Sequence, residues 1–160
     1  MLFYATSLIA VAVDLITKRL IALHVPVGAS MPFWEPYIQF YHYQNSGAAR
    51  GLFPGYGRYM AVFAIIFVVA VLYYRRKGHL RGFLQEFGTG LLVAGAVGNG
   101  IERALFGKVT DFLVFGSGSG ILNIADLFIN AGTLLTLAGM LVEHRRDRRG
   151  RTKAAETFYR

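Results

Sequence analysis

Sixteen consecutive residues, Tyr59 to Tyr74, carry no charge. Three further apolar stretches surround them: Leu2 to Leu23, Phe87 to Ile101 and Gly116 to Val142. A hydrocarbon core about 30 Å thick needs about 20 predominantly apolar residues per helical crossing, so this spacing predicts a membrane protein. Composition agrees, since 54% of the 160 residues are hydrophobic, above the roughly 45–50% usual for soluble domains. The fold class expected is an all-α membrane protein. It is a four-transmembrane-helix bundle with a small extracytoplasmic β-element in the first outer loop. One domain covers 1–160, with spans about 2–23, 57–74, 86–103 and 120–142 and a basic tail at 143–160. The first segment lacks the basic leader and small-residue cleavage site of a removable signal, and it reads as a retained span.

The net charge of +8 is unevenly placed. Residues 75–82 and 143–160 hold eleven Lys and Arg in 26 positions, whereas 24–58 and 102–120 hold four in 54. Positive residues resist translocation, so both termini and the 75–82 loop are expected in the cytoplasm and the other two loops outside. A nucleic-acid partner would call for basic residues over a solvent-facing surface with stacking aromatics between them; two basic blocks beside apolar spans do not provide that. With no cysteine, thiolate metal sites and a Cys nucleophile are excluded.

In the first outer loop Pro26, Gly28, Ser30, Pro32 and Pro36 predict turns, and Tyr37 to Gln44 reads as a strand. Trp34, Tyr37, Tyr41 and Tyr43 suit a membrane interface. Gly90, Ala94 and Gly98 fall on one face of the third span, where small residues allow helices to approach closely. Gly116 to Gly120 (GSGSG) reads as a flexible link.

Against this frame two carboxylates stand out, Asp111 and Asp126, fifteen residues apart. Asp126 falls about two turns into the fourth span if that helix begins near Gly120, and Asp111 in the loop before it. Ionisable groups inside a membrane are costly and usually functional. The plainer readings are a helix-packing hydrogen bond for Asp126 and a cap or solvated loop residue for Asp111. Two carboxylates brought together cannot both ionise easily. One then activates water while its protonated partner polarises a carbonyl. Asn99, Glu102, Arg103, Asn123 and Asn130 supply further polar groups nearby, with Asn123 and Asp126 on one helical face. For the asparagines the alternative is interhelical packing, and for Arg103 a snorkelling anchor. Asp14 and Lys18, at i and i+4, can neutralise each other within the first span, with Arg19 pointing elsewhere.

Other chemistries fit less well. His24, His42, His79 and His144 are scattered over both faces without zinc-site spacing, a Ser/Lys dyad using Ser46 or Ser117 lacks an oxyanion site, and the Gly116 to Gly120 run lacks the Lys or Thr of a nucleotide loop. No metal and no cofactor are expected. A small transporter or proton-coupled channel and a purely structural membrane subunit remain as rivals.

Four segments, VDLITK (Val13 to Lys18), NSGAARGLF (Asn45 to Phe53), GNGIERALFGKVTDF (Gly98 to Phe112) and LNIADLFIN (Leu122 to Asn130), together resemble signal peptidase II, the bacterial lipoprotein signal peptidase family. The resemblance runs along nearly the whole chain. It implies a multi-pass aspartic endopeptidase of the bacterial inner membrane, active on the extracytoplasmic side, whose partners are membrane lipids and a lipid-modified prolipoprotein cut before its diacylglyceryl cysteine. By the same resemblance Asp111 and Asp126 are the catalytic pair, and Asp14, Lys18, Asn45, Asn99, Arg103 and Asn123 are polar positions around the site or the substrate path. Three positions depart from the family's usual pattern: Arg50 replaces Phe, Glu102 replaces Asp and Thr110 replaces an aliphatic residue.

Overall fold

A computed structural model describes residues 1–47, 52–116 and 120–158, with the side chains of 147 and 149–158 left aside. Arg50 and Ser117 lie outside the described residues, as does the centre of the Gly116 to Gly120 link. The chain is mostly helical: α1 (Leu2–His24), α2 (Gly57–Arg76), α3 (Phe83–Phe106) and α4 (Ile124–Phe158). Two helical segments, Gly57–Arg76 and Ile124–Arg146, are long and apolar enough to cross a membrane, with mean hydropathies of 1.9 and 1.6. Charges at Asp14, Lys18 and Arg19 set α1 apart from these, as glycines and polar residues do α3.

Polarity is inverted relative to a water-soluble bundle. Leu8, Ile9, Phe63, Ile65, Leu134 and Leu141 are each more than 60% exposed, while Asp14, Lys18, Asn99 and Asn123 are buried. So large an apolar exterior is disfavoured in water and suits hydrocarbon. α3 is the central helix, packing against α1, α2 and α4. The Gly90–Ala94–Gly98 face meets α1 as expected: a Cβ at Gly90 would sit 3.0 Å from Thr6 Cβ, and one at Gly98 would strike Asp14 Oδ2. A second small-residue face meets α4, where a Cβ at Gly95 would come within 2.5 Å of the Ala125 carbonyl oxygen.

The β-element is larger than the sequence predicts. Strands β1 (Ser30–Trp34), β2 (Ile38–Asn45), β3 (Val109–Phe115) and β4 (Ile121–Leu122) form one antiparallel sheet in the order β1-β2-β3-β4. β1 accommodates Pro32 because it is an edge strand, where a missing N–H costs no ladder bond. The connection between α3 and α4 supplies β3 and β4, so Asp111 lies on a strand and not in a loop. Its context, VTDFLVF, is β-branched and aromatic, and six of its seven residues are buried. Gly107 ends α3 in the left-handed conformation (φ 71°), which turns the chain directly into β3.

Phe112 and Leu113 pack with Ile21 and Val25 at the end of α1, and Leu122 and Ile124 join them. Full burial of side chains of this size is worth about 1.5–3 kcal/mol each, so the sheet, α1 and the start of α4 are fastened as one unit. A further correction concerns α4. It begins at Ile124, not near Gly120, because Ile121 and Leu122 pair with Val114 and Leu113. Asp126 therefore sits in the first helical turn.

Candidate active site

Pairing of β2 with β3 sets Tyr43 opposite Asp111 and Asn45 opposite Val109. From that position Asn45 Nδ2 donates to Asp111 Oδ2 at 2.9 Å, while Asn45 Oδ1 accepts from the Gly47 N–H. The second oxygen, Asp111 Oδ1, accepts from Asn123 Nδ2 at 2.6 Å.

Asn123 immediately precedes α4. The Asp126 N–H donates to Asn123 Oδ1 at 3.0 Å, and the Asn123 N–H donates back to Asp126 Oδ2 at 3.1 Å, a reciprocal cap at the helix start. Asp126 Oδ1 accepts from Asn99 Nδ2 at 2.9 Å. Asn99 Oδ1 in turn accepts from Asn123 Nδ2 at 3.1 Å and from Lys18 Nζ at 2.7 Å. Each aspartate thus has two fixed donors, and Asn123 touches both aspartates.

Behind this layer Lys18 Nζ lies 2.8 Å from Asp14 Oδ2 and 3.5 Å from Glu102 Oε2. The other Asp14 oxygen accepts the Ala125 N–H at 2.8 Å, satisfying another free donor at the start of α4. Glu102 accepts from the Thr110 N–H and the Thr110 hydroxyl, both at 2.9 Å. The two departures from the family pattern that fall within the described residues therefore bond to each other, one residue away from Asp111.

A cavity of about 560 Å³ opens at this point, lined by both aspartates and by Asn45, Asn99, Arg103 and Asn123, with Met60, Phe115, Leu122, Ile129 and Asn130 as further walls. Arg103 also reaches across to donate to the Gly47 carbonyl at 3.1 Å. Four of the six expected binding residues thus face the cavity. Asp14 and Lys18 do not: at 0% and 2% exposure they are consumed by mutual pairing, as a buried ion pair requires, and they meet the aspartates only through Asn99 and the Ala125 backbone. They lie behind the cavity, with Lys18 one hydrogen bond removed from it through Asn99.

Asp111 is 4% exposed, and its carboxyl is pushed up to about 6. Burial is the largest cause; the charge of Asp126 adds to it, and the Asn45 and Asn123 hydrogen bonds together with Lys18 oppose it. A carboxyl that retains its proton to near-neutral pH beside a second carboxylate is suited to general acid-base chemistry. Among the described residues no group of three His, Asp or Glu side chains is placed to hold a metal ion. Sequence reasoning missed the reciprocal cap and the Glu102–Thr110 clamp. The first had a signal, an Asn three residues before an acid ahead of an apolar run; the second depends on a strand that the loop reading did not include.

Helices apolar outside and polar within, carrying a paired-carboxylate cavity against a small sheet, define a membrane hydrolase of the aspartic type. Similarity to known proteins agrees. The model of the Signal peptidase (SPase) II family matches residues 6–142, and the chain belongs to that family. It is 35% identical over 140 residues to a lipoprotein signal peptidase of Gloeobacter violaceus, covering 87% of this chain and 81% of the relative. It is 31% identical over 146 residues to that of Shouchella clausii, covering 91% and 97%. Two solved structures, each described as a bacterial membrane enzyme, superpose with TM-scores of 0.82 and 0.78 at 29% and 30% identity. The first covers 89% of this chain and 88% of the other, the second 87% and 92%. The chain is accordingly an aspartic-type signal peptidase that removes signal peptides from prolipoproteins.

Proposed function

We propose that Asp111 and Asp126 are the catalytic pair of this peptidase. The single observation that carries the assignment is Asn123, whose side-chain amide donates to Asp111 while its backbone N–H donates to Asp126. Asp126, half-buried at the cavity wall, takes a proton from water as the water oxygen attacks the scissile carbonyl carbon. Asp111 gives its proton to the carbonyl oxygen, and a gem-diol forms. Asp126 then protonates the amide nitrogen, the C–N bond breaks, and Asp111 recovers a proton from one hydroxyl.

In this proposal Asn45, Asn99, Arg103 and Asn123 orient the peptide and the dyad, and Asp14 and Lys18 act through Asn99. The four helices cross the inner membrane as one domain over 1–160, with both termini and the basic tail in the cytoplasm and the sheet on the extracytoplasmic side. Eleven Lys and Arg residues in 75–82 and 143–160 favour that orientation. Diacylglyceryl chains of the substrate lie in hydrocarbon beside Met60, Phe63 and Phe67, which line a neighbouring groove between α2, α3 and α4. The peptide bond before the modified cysteine then reaches the depth of the aspartates.

Purified protein in detergent should cleave a diacylglyceryl-modified precursor peptide without any partner or ion gradient, and cleave the unmodified peptide far more slowly. Equal rates on the two peptides would count against the lipid-directed part of the proposal, and absence of product would count against the whole.

A further inference from the structure

Successive residues of a strand point to opposite faces of the sheet. Asp111 lines the catalytic cavity, whereas Thr110 lines a second crevice of about 420 Å³ on the other face, between α1 and α3. Its walls are apolar at Leu15, Ile101 and Phe106, and it is flanked by Arg19 and Lys108. Both cations are exposed. Among the described residues neither forms an ion pair. The crevice's carboxylate, Glu102, is already engaged by the Thr110 N–H, the Thr110 hydroxyl and Lys18.

We propose that this crevice binds an anionic glycerophospholipid, with the headgroup phosphate between Arg19 and Lys108 and an acyl chain along Leu15, Ile101 and Phe106. The level suits a headgroup. Arg19 lies in the last turns of α1 and Lys108 follows the Gly107 cap that ends α3, so the cations sit at the sheet end of the helices and the apolar walls continue toward the hydrocarbon. Basic side chains at a membrane surface attract anionic headgroups by charge. A zwitterionic headgroup gains less, because its ammonium finds no free carboxylate in the crevice. Arg19, which the peptidase chemistry leaves unused, thereby acquires a role.

Native mass spectrometry of the detergent-solubilised full chain, titrated with phosphatidylglycerol or phosphatidylcholine, tests the proposal independently of peptidase activity. The parent protein should retain phosphatidylglycerol with about tenfold preference over phosphatidylcholine, on the scale expected for one to two basic side chains near a membrane surface. Arg19→Gln with Lys108→Gln should abolish the preference. Arg58→Gln, which removes a cation near Gly107 outside the crevice, should keep it, and so should the charge-conserving pair Arg19→Lys with Lys108→Arg. Equal retention of both lipids by the parent, or an undiminished preference in the double Gln variant, would overturn the assignment. Inorganic phosphate that displaces the lipid at matching concentration would assign the crevice to the free anion and overturn the lipid.

Discussion

Asn123 and Asp126 cap one another at the start of α4, each side-chain oxygen accepting the other residue's backbone N–H at 3.0 and 3.1 Å. The cap fixes the Asp126 carboxylate before any substrate arrives. It also leaves Asn123 Nδ2 free to bond Asp111 and Asn99.

Replacing Asn123 separates the two duties. Asn123→Ser retains a good helix cap, so stability should stay within about 1 kcal/mol of the parent, yet its hydroxyl cannot both cap and bond Asp111. The turnover rate should fall by about 10²-fold, the usual scale for small misplacement of a catalytic group. Asn123→Ala should add the loss of the cap, lowering thermal stability as well. Parent-like turnover of the Ser variant would show that the Asn123–Asp111 bond plays no part in the chemistry.

The elevated Asp111 carboxyl predicts a pH dependence with a definite sign. Its protonated form donates in the proposed mechanism, so kcat/KM should decline as pH rises through about 6. Folding responds in the same direction. The folded state holds this proton more tightly than the unfolded chain, whose value is 3.8, so the contribution is complete below 3.8 and is lost as pH rises to about 6. A change of that size corresponds to about 3 kcal/mol. Melting temperatures followed over this interval should fall for the parent and change less for Asp111→Asn, whose neutral amide does not titrate. Identical slopes for both proteins would contradict the account.

Glu102 and Thr110 should behave as a coupled pair. Thr110→Val leaves one Glu102 oxygen without its hydroxyl donor, at about 1 kcal/mol, and Glu102→Gln weakens the hold on Lys18 and on β3. Effects on kcat should exceed those on KM, because these residues position Asp111 without facing the cavity. A double-mutant cycle on kcat/KM and on stability should give coupling of at least about 0.5 kcal/mol; strict additivity would show that the contact is incidental.

Part of this site could be read from the sequence because membrane context makes polar residues conspicuous: Asp126, Asn99, Arg103 and Asn123 stand out in or beside apolar spans, whereas Asn45 and the role of Asp111 came from the family resemblance; all six line one cavity. The parts that escaped notice depend on distant partners. β3 is held by β2, so Asn45 meets Asp111 across 66 positions of sequence, and nothing local in VTDFLVF signals that pairing. Ile121 and Leu122 extend the apolar run of α4, and a two-residue strand cannot be told from a helix extension by hydropathy. Asp14 and Lys18 were visible as a pair, but their burial behind Asn99 depends on Gly98 allowing α1 to approach α3.

The most direct test of the central claim is single-turnover cleavage of a diacylglyceryl-modified precursor peptide by Asp111→Asn and Asp126→Asn, each checked for parent-like helical content and membrane insertion. Both variants are predicted to lose about 10³-fold or more in rate, in the range for removal of a general acid or base. Either variant cleaving at close to the parent's rate would contradict the assignment of Asp111 and Asp126 as the catalytic pair.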